Sequence, residues 1–128
     1  MRILLDTSTL LWAAQGDPRL SDAADAIIGD GDQELLFSSV SAMEIAMKHA
    51  AGRLVLPESP AAWVRTRAAV FGLVELPITV EHALEAGRLP RHHRDPWDRL
   101  LVAQARVEEV PILTSDAVIH RYEVATIW

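Results

Sequence analysis

The chain has 128 residues, half of them hydrophobic, so we expect one compact domain spanning residues 1–128 with a core of its own. It contains no cysteine, which excludes thiol catalysis, disulfide scaffolds and thiolate zinc sites. The formal net charge of −6 argues against a nucleic-acid partner, unless some of the acids bind cations that cancel negative charge locally.

Along the chain, short apolar runs alternate with helical patterns that capping residues delimit. In chain order the pattern predicts a strand at 2–6, helices at about 10–13 and 22–28, a strand at 34–38, helices at about 42–50, 60–71, 79–86 and 96–108, and strands at 110–114 and 124–127. The expected helix starts and stops are Ser21, Ser59 and Asp95, and Gly16, Gly29, Gly52, Gly72 and Gly87. Alternation of this kind favours the α/β class, with a three-layer α/β/α sandwich around a central parallel sheet.

No apolar segment approaches the roughly 18 residues that a membrane-spanning helix needs. The apolar run near the N-terminus is too short for a signal peptide, and Asp6 interrupts it. We therefore expect a soluble, cytoplasmic protein without a membrane partner.

Four acids are placed where an open parallel sheet binds its ligands, beyond the carboxyl ends of the strands. Asp6 ends the first predicted strand, Glu44 follows the second, and Asp116 lies just beyond the strand at 110–114. Asp98 stands in the first turn of the helix that Asp95 and Pro96 open, and it can face the same edge. The sequence therefore predicts that the four carboxylates converge.

Each acid also has an ordinary structural explanation. Asp6 and Asp116 are suited to cap or turn the segments that follow them. Ser41 and Glu44 match a capping box, and Asp98 is an acid in the favourable first turn of a helix. As a set, however, converging carboxylates repel one another and imply a cation.

Carboxylate ligands without histidine or cysteine favour Mg²⁺ or Mn²⁺ over zinc. Such ions activate water and stabilise the charge that develops on a phosphodiester during in-line attack. The chemistry that suits this site best is phosphodiester hydrolysis.

Four blocks of the sequence resemble the PIN domain, and specifically the VapC toxins of bacterial type II toxin–antitoxin pairs. The blocks are residues 4–7 (LLDT) with 10–12 (LLW), residues 38–45 (SSVSAMEI) with Lys48, residues 93–105 (HRDPWDRLLVAQA) and residues 113–116 (LTSD). They occur in family order over nearly the whole chain, and the third block is the most specific.

The resemblance implies a Mg²⁺- or Mn²⁺-dependent endoribonuclease that forms a homodimer and is inhibited by a cognate antitoxin. It assigns the metal-binding and catalytic roles to Asp6, Glu44, Asp98 and Asp116, with a further hydroxyl from Thr114 or Ser115. Position 8 is serine, where close relatives often have histidine. Asp95 competes with Asp98, but Asp95 is so well suited to be the N-cap that we assign it a secondary role.

Basic residues concentrate beside Asp98, and three of them are candidates for RNA binding: Arg91, Arg94 and Arg99. The pair His92 and His93 could suggest a metal site, but no third histidine or cysteine stands at ligand spacing. We therefore interpret the two histidines as residues of a solvated loop or as contacts to phosphate. His49, His82 and His120 are expected at the surface. The helix at 60–71 is apolar over much of its surface, which suggests a groove for an antitoxin helix or a dimer contact.

Two other functions stay open at this point. A phosphatase would use Asp6 as its nucleophile, but the sequence shows no second acid at position 8 and no well-placed lysine. A non-catalytic binding module would keep the fold and lose the chemistry, and the presence of all four acids argues against it.

Overall fold

The structure is a computed structural model that describes residues 1–128. It contains five strands: β1 (Arg2–Leu5), β2 (Glu34–Ser38), β3 (Val74–Leu76), β4 (Ile112–Leu113) and β5 (Thr126–Ile127). The α-helices are α1 (Thr7–Gln15), α2 (Asp22–Gly29), α3 (Ser39–Ala50), α4 (Pro60–Phe71), α5 (Val80–Arg88) and α6 (Pro96–Glu108), and a 3₁₀ turn covers Ile119–Arg121. No helix has the length and apolar character needed to cross a membrane.

All five strands are parallel and form one sheet in the order β3-β2-β1-β4-β5. β1 lies at the centre, where Leu4 pairs with Leu36 of β2 and Ile112 of β4. Because both neighbours run parallel to β1, the carboxyl ends of the three central strands meet at one edge of the sheet. This edge is where the candidate functional residues lie.

Alternate residues of the central strands pack against different helices. Leu4, Leu36 and Ile112 belong to a core cluster with residues of α5 and α6. Ile3 and Leu5, on the opposite face of β1, belong to a second cluster with residues of α1, α2, α3 and α4. Helices therefore cover both faces, which confirms the predicted three-layer α/β/α sandwich with a central parallel sheet.

Most of the predicted helix ends are confirmed. The side chains of Ser21, Ser59 and Asp95 accept hydrogen bonds from backbone N–H groups at the starts of α2, α4 and α6. Gly16 and Gly72 end α1 and α4 with φ values of 64° and 62°, a conformation that glycine adopts at little cost. Two predicted stops are displaced: Gly29 is the last residue of α2 rather than the residue after it, and Gly87 lies within the last turn of α5, which ends at Arg88.

The predicted start of α3 was also wrong, with a consequence for Glu44. The helix begins at Ser39 rather than Ala42, and the hydroxyl of Ser38 caps it by accepting the backbone N–H of Val40 at 3.0 Å. Ser41 is therefore inside the helix, where its hydroxyl is 2.7 Å from that of Thr7. Since Ser41 is not the N-cap, the proposed capping box with Glu44 does not exist.

His82 is buried, contrary to the expectation that it lies at the surface. Its backbone N–H donates to the hydroxyl of Thr79, and its Nδ1 accepts the backbone N–H of Thr79, so the two residues form a reciprocal cap on α5. Nε2 of His82 lies 3.0 Å from Glu108 at the end of α6. The side chain thus ties α5 to α6, a role that exposure would not allow.

Candidate functional site

The four acids come from four different segments that meet at the carboxyl edge of the sheet. Asp6 directly follows β1, Glu44 lies in α3, Asp98 lies in the first turn of α6, and Asp116 follows β4. Asp6 occupies the N-cap position of α1, yet its side chain makes no capping hydrogen bond. Its carboxylate is therefore not used for the structural role that the sequence also allowed.

Asp6 is a buried acid, with 6% of its surface exposed. The hydroxyl of Thr114 donates to Asp6 Oδ2 at 2.7 Å and is its side-chain partner. Burial raises the pKa of Asp6, and the negative charges of Glu44 and Asp116 raise it further against the lowering effect of Thr114. An ionised Asp6 is thus unfavourable unless a positive charge is added nearby.

Glu44 is buried to the same extent but has one ionic partner. Nζ of Lys48, one turn later in α3, donates to Glu44 Oε2 at 2.5 Å. Burial lowers the pKa of Lys48, but the hydrogen bond and charge of Glu44, with Asp95 and Asp98, raise it overall. The second oxygen, Glu44 Oε1, is buried and has no hydrogen-bond partner.

Asp98 is the second acid of the site whose pKa is raised. Burial is the largest cause that raises its pKa to about 7, and the charges of Asp6, Asp95 and Glu44 add to it, while His93 acts in the opposite direction. These effects require that the acids lie close enough to sense one another's charge. The structure therefore brings together the residues that the sequence predicted would converge.

Asp116 is held by the turn that follows β4. Its Oδ1 accepts the backbone N–H of Val118 at 2.8 Å, and its own backbone N–H donates to Thr114 Oγ1 at 3.0 Å. Thr114 thus connects Asp116 to Asp6. Ser115, the other hydroxyl candidate, is exposed and makes no side-chain hydrogen bond.

Asp95 and Asp98 take different positions at the start of α6. Asp95 Oδ1 accepts the backbone N–H of Trp97 at 2.9 Å, as an N-cap does. Asp98 makes no such bond, and its Oδ2 lies 2.9 Å from Nε2 of His93. Asp95 is close enough to affect the ionisation of Asp98 but is used as a cap.

His93 belongs to the cluster of acids, so the interpretation of this histidine as a solvated loop residue was wrong. Its Nε2 also lies 3.1 Å from Asp116 Oδ2, and the ring is largely buried. No ligand spacing is visible around His93 in the sequence because its partners come from α6 and from the segment after β4. Lys48 was noted only as part of the family resemblance and was given no role in the site, although its position four residues after Glu44 in a helix predicts an ion pair.

A cavity of about 690 Å³ is lined by Arg91, His93, Arg94, Pro96 and Arg99, and it shares His93 with the cluster of acids. Arg91 and Arg94 are exposed and make no ion pair. Arg99 is different, because its guanidinium donates to the backbone carbonyls of Ala86, Leu89 and Pro90. These bonds hold the loop that follows α5, so Arg99 has a structural role even though it lines the cavity.

The residues present fit a divalent cation. Burying a carboxylate oxygen without a partner, as at Glu44 Oε1, costs free energy that a bound ion would offset. Burial first, and the neighbouring carboxylates second, raise the pKa of both Asp6 and Asp98, so a nearby cation would favour their ionised forms. The donors are predominantly carboxylate oxygens, which favour Mg²⁺ or Mn²⁺.

The stability of the metal-free protein should fall as the pH rises from 5 to 8. Folded Asp98 keeps its proton up to about pH 7, whereas the unfolded chain loses it near the ordinary value of 3.8. The folded state therefore binds more protons in this interval, and the loss of stability between pH 5 and 8 amounts to at most about 3 kcal/mol. Urea unfolding in EDTA should show the slope in the wild type and a flatter one in Asp98→Asn. Parallel slopes would contradict this assignment.

The sequence profile of the PIN domain matches residues 3–125. A search of curated proteins found no significant match.

Several solved structures share the fold. VapBC2 from Rickettsia felis, bound to a DNA fragment from its promoter, aligns with a TM-score of 0.73 at 13% identity over 100% of this chain and 99% of that chain. FitAcB from Neisseria gonorrhoeae aligns with a TM-score of 0.65 at 18% identity over 98% and 96%. VapBC-1 from nontypeable Haemophilus influenzae gives 0.64 at 14% identity over 99% and 97%. At such low sequence identities, these alignments show that the chain shares the fold of these proteins and nothing more.

Proposed function

Because the chain belongs to the PIN domain family, we propose that it is a Mg²⁺- or Mn²⁺-dependent endoribonuclease and the toxin of a type II toxin–antitoxin pair. PIN domains are typically nucleases, and the arrangement of the acids supports the same activity in this chain. Four carboxylates from four segments converge at one edge of the sheet, and a buried oxygen of Glu44 has no partner within the protein. We further propose that residues 1–128 act as one catalytic domain.

Asp6, Glu44, Asp98 and Asp116 would hold the cation. When bound, a Mg²⁺ or Mn²⁺ ion supplies Lewis-acid stabilisation of the phosphodiester and activation of water. Thr114 orients Asp6 through its hydroxyl and fixes the backbone of Asp116. Lys48 partly neutralises Glu44 through the contact with Oε2, and the side chain of Lys48 remains accessible, with 46% exposed.

Arg91 and Arg94 would bind the RNA backbone next to the acids. They line the cavity beside His93 and have no anionic partner, so their guanidinium groups are available to phosphate. Arg99 would support the same cavity by holding the loop that precedes it. This separation of charge lets a protein with a net negative charge attract RNA to one face.

The proposed partner is an antitoxin. VapBC2 from Rickettsia felis, whose fold this chain shares, is a complex bound to promoter DNA. In this chain a groove of about 380 Å³ between α3, α4 and β3 offers a mainly apolar surface to a partner helix, and Phe37, Ala42, Ala61, Val64 and Leu73 are among its lining residues. A basic residue of that helix would then reach the four carboxylates. We also propose a homodimer and action in the cytoplasm.

The alternatives receive less support. A phosphatase needs an accessible nucleophile, but Asp6 is 6% exposed and its Oδ2 accepts the hydroxyl of Thr114. A non-catalytic module would have no reason to bury acids that raise one another's pKa. Titration with Mn²⁺ would distinguish this module from an enzyme, since a module without a metal site should not bind the ion.

A cleavage assay with matched RNA and DNA oligonucleotides tests the proposed activity. We expect the purified protein to cleave single-stranded RNA internally with Mg²⁺ or Mn²⁺, and to leave both substrates intact in EDTA. Mass spectrometry of the fragments would locate the cleaved bonds and exclude trimming from the ends. Cleavage that persists in EDTA would contradict the metal dependence, and preferential cleavage of DNA would contradict the assignment to RNA.

A further inference from the structure

One imidazole ring lies between two of the four acids. Nε2 of His93 is 2.9 Å from Asp98 Oδ2 and 3.1 Å from Asp116 Oδ2. The three groups are partly buried, and the atoms they offer lie within 4.8 Å of one another. A single nitrogen thus contacts carboxylates from α6 and from the turn after β4, which are far apart in sequence.

The orientation of this ring is fixed on its other side. The backbone N–H of Asp95 donates to Nδ1 of His93 at 3.2 Å, so Nδ1 is the acceptor and Nε2 carries the proton. The backbone N–H of His93 donates to the hydroxyl of the buried Tyr122 at 2.8 Å. With the ring held in this way, Nε2 is hydrogen-bonded to Asp116 Oδ2 and lies in close contact with Asp98 Oδ2.

We propose that His93 is a positioning residue, which holds Asp98 and Asp116 for cation binding through the N–H at its Nε2. The proposal rests on the proposed function and concerns the same site. The N–H that donates to Asp116 Oδ2 also lies 2.9 Å from Asp98 Oδ2, so one positive hydrogen faces both carboxylates and reduces their repulsion. Hydrogen bonds to ligating carboxylates have large effects on metal affinity, typically about 10- to 100-fold.

The position of His93 also connects metal binding to substrate binding. His93 forms part of the wall of the cavity that Arg91 and Arg94 line. The loop that presents these arginines to RNA is therefore the loop that sets Asp98 and Asp116. Loss of the imidazole should lower kcat more than it raises KM, because Arg91 and Arg94 remain in place.

The test compares His93→Gln with His93→Ala in the full chain, using Mn²⁺ as the probe. The amide nitrogen of Gln reaches the position of Nε2 and can donate to the acids, whereas Ala cannot. We expect Ala to weaken Mn²⁺ binding in calorimetry by about 10-fold or more and Gln to restore most of it. His49→Ala, which removes a histidine without a side-chain hydrogen bond, should bind Mn²⁺ as the wild type does. Electron spin-echo spectra of bound Mn²⁺ should show no imidazole ¹⁴N coupling.

Several outcomes would overturn the proposal. Equal losses in both variants, together with ¹⁴N coupling in the wild type, would make His93 a direct ligand. Unchanged or tighter Mn²⁺ binding in His93→Ala would remove its positioning role. If the Ala variant does not fold, a loss of about 10-fold in His93→Gln decides against the proposal. A wild type that binds Mn²⁺ without cleaving RNA would contradict the proposed function and leave this test intact, and no Mn²⁺ binding at all would contradict both.

Discussion

Replacing Asp6 by Asn should reduce metal-dependent RNA cleavage by about 100-fold or more, because it removes the charge of a ligand at the centre of the site. Asn has nearly the same shape as Asp and can still accept the hydroxyl of Thr114. The substitution therefore changes the charge and leaves the local packing intact. The measurement is kcat/KM on an RNA oligonucleotide over a range of Mg²⁺ and Mn²⁺ concentrations.

The stability of the same variant should move in the opposite direction. Burial and the charges of Glu44 and Asp116 disfavour an ionised Asp6, so the neutral amide should leave the metal-free protein as stable as the wild type or more stable. Asp32→Asn is the matched control, since Asp32 is an exposed acid outside the site and its loss should affect neither property. Undiminished cleavage by Asp6→Asn would show that the site is not where we place it.

The layers of the fold could be predicted from the sequence because apolar runs and capping residues are local signals. β2 was predicted with its observed bounds, and Ser59 and Gly72 delimit α4 as expected. β3 was missed, since it has only three residues, two of them exposed, at the edge of the sheet. Its pairing with β2, a long-range contact, determines that it is a strand.

The start of α3 shows how two local signals can compete. Ser41 and Glu44 have the spacing of a capping box, but Ser38 caps the helix one turn earlier. Ser38 is buried and its hydroxyl also donates to the buried Gln104 of α6. This contact with α6 cannot be read from the residues around Ser38, and it favours the earlier start. The error hid the fact that Glu44 has no capping role.

Some residues of the site could be predicted from the sequence, and others could not. Asp6, Glu44 and Asp116 follow strands, and the geometry of parallel sheets brings such residues together. His93 was misjudged because sequence spacing reveals ligands on one segment, whereas this ring meets Asp98 and Asp116 only in the folded chain. Arg99 was a reasonable candidate for RNA binding, but backbone carbonyls engage its guanidinium.

The two acids at the start of α6 offer the sharpest distinction between a capping role and a catalytic one. Both acids lie at the first turn of α6, and substitution by Asn removes one negative charge in each case. Asp95 accepts the backbone N–H of Trp97, and Asn is itself a good N-cap. Asp98 has no capping bond, and its pKa is raised to about 7 by burial and by the neighbouring acids.

We expect Asp98→Asn to lower kcat/KM by about 100-fold or more and Asp95→Asn to lower it less than about 10-fold. The Asp98 amide cannot supply the anionic oxygen that a divalent ion requires, whereas the Asp95 amide keeps α6 capped. Mn²⁺ titration of each variant separates a loss of metal binding from a loss of turnover, and urea unfolding in EDTA shows whether α6 is intact. A dead Asp95→Asn with an active Asp98→Asn would reverse the assignment. Equal losses in two folded variants would mean that Asp95 both caps the helix and takes part in cation binding.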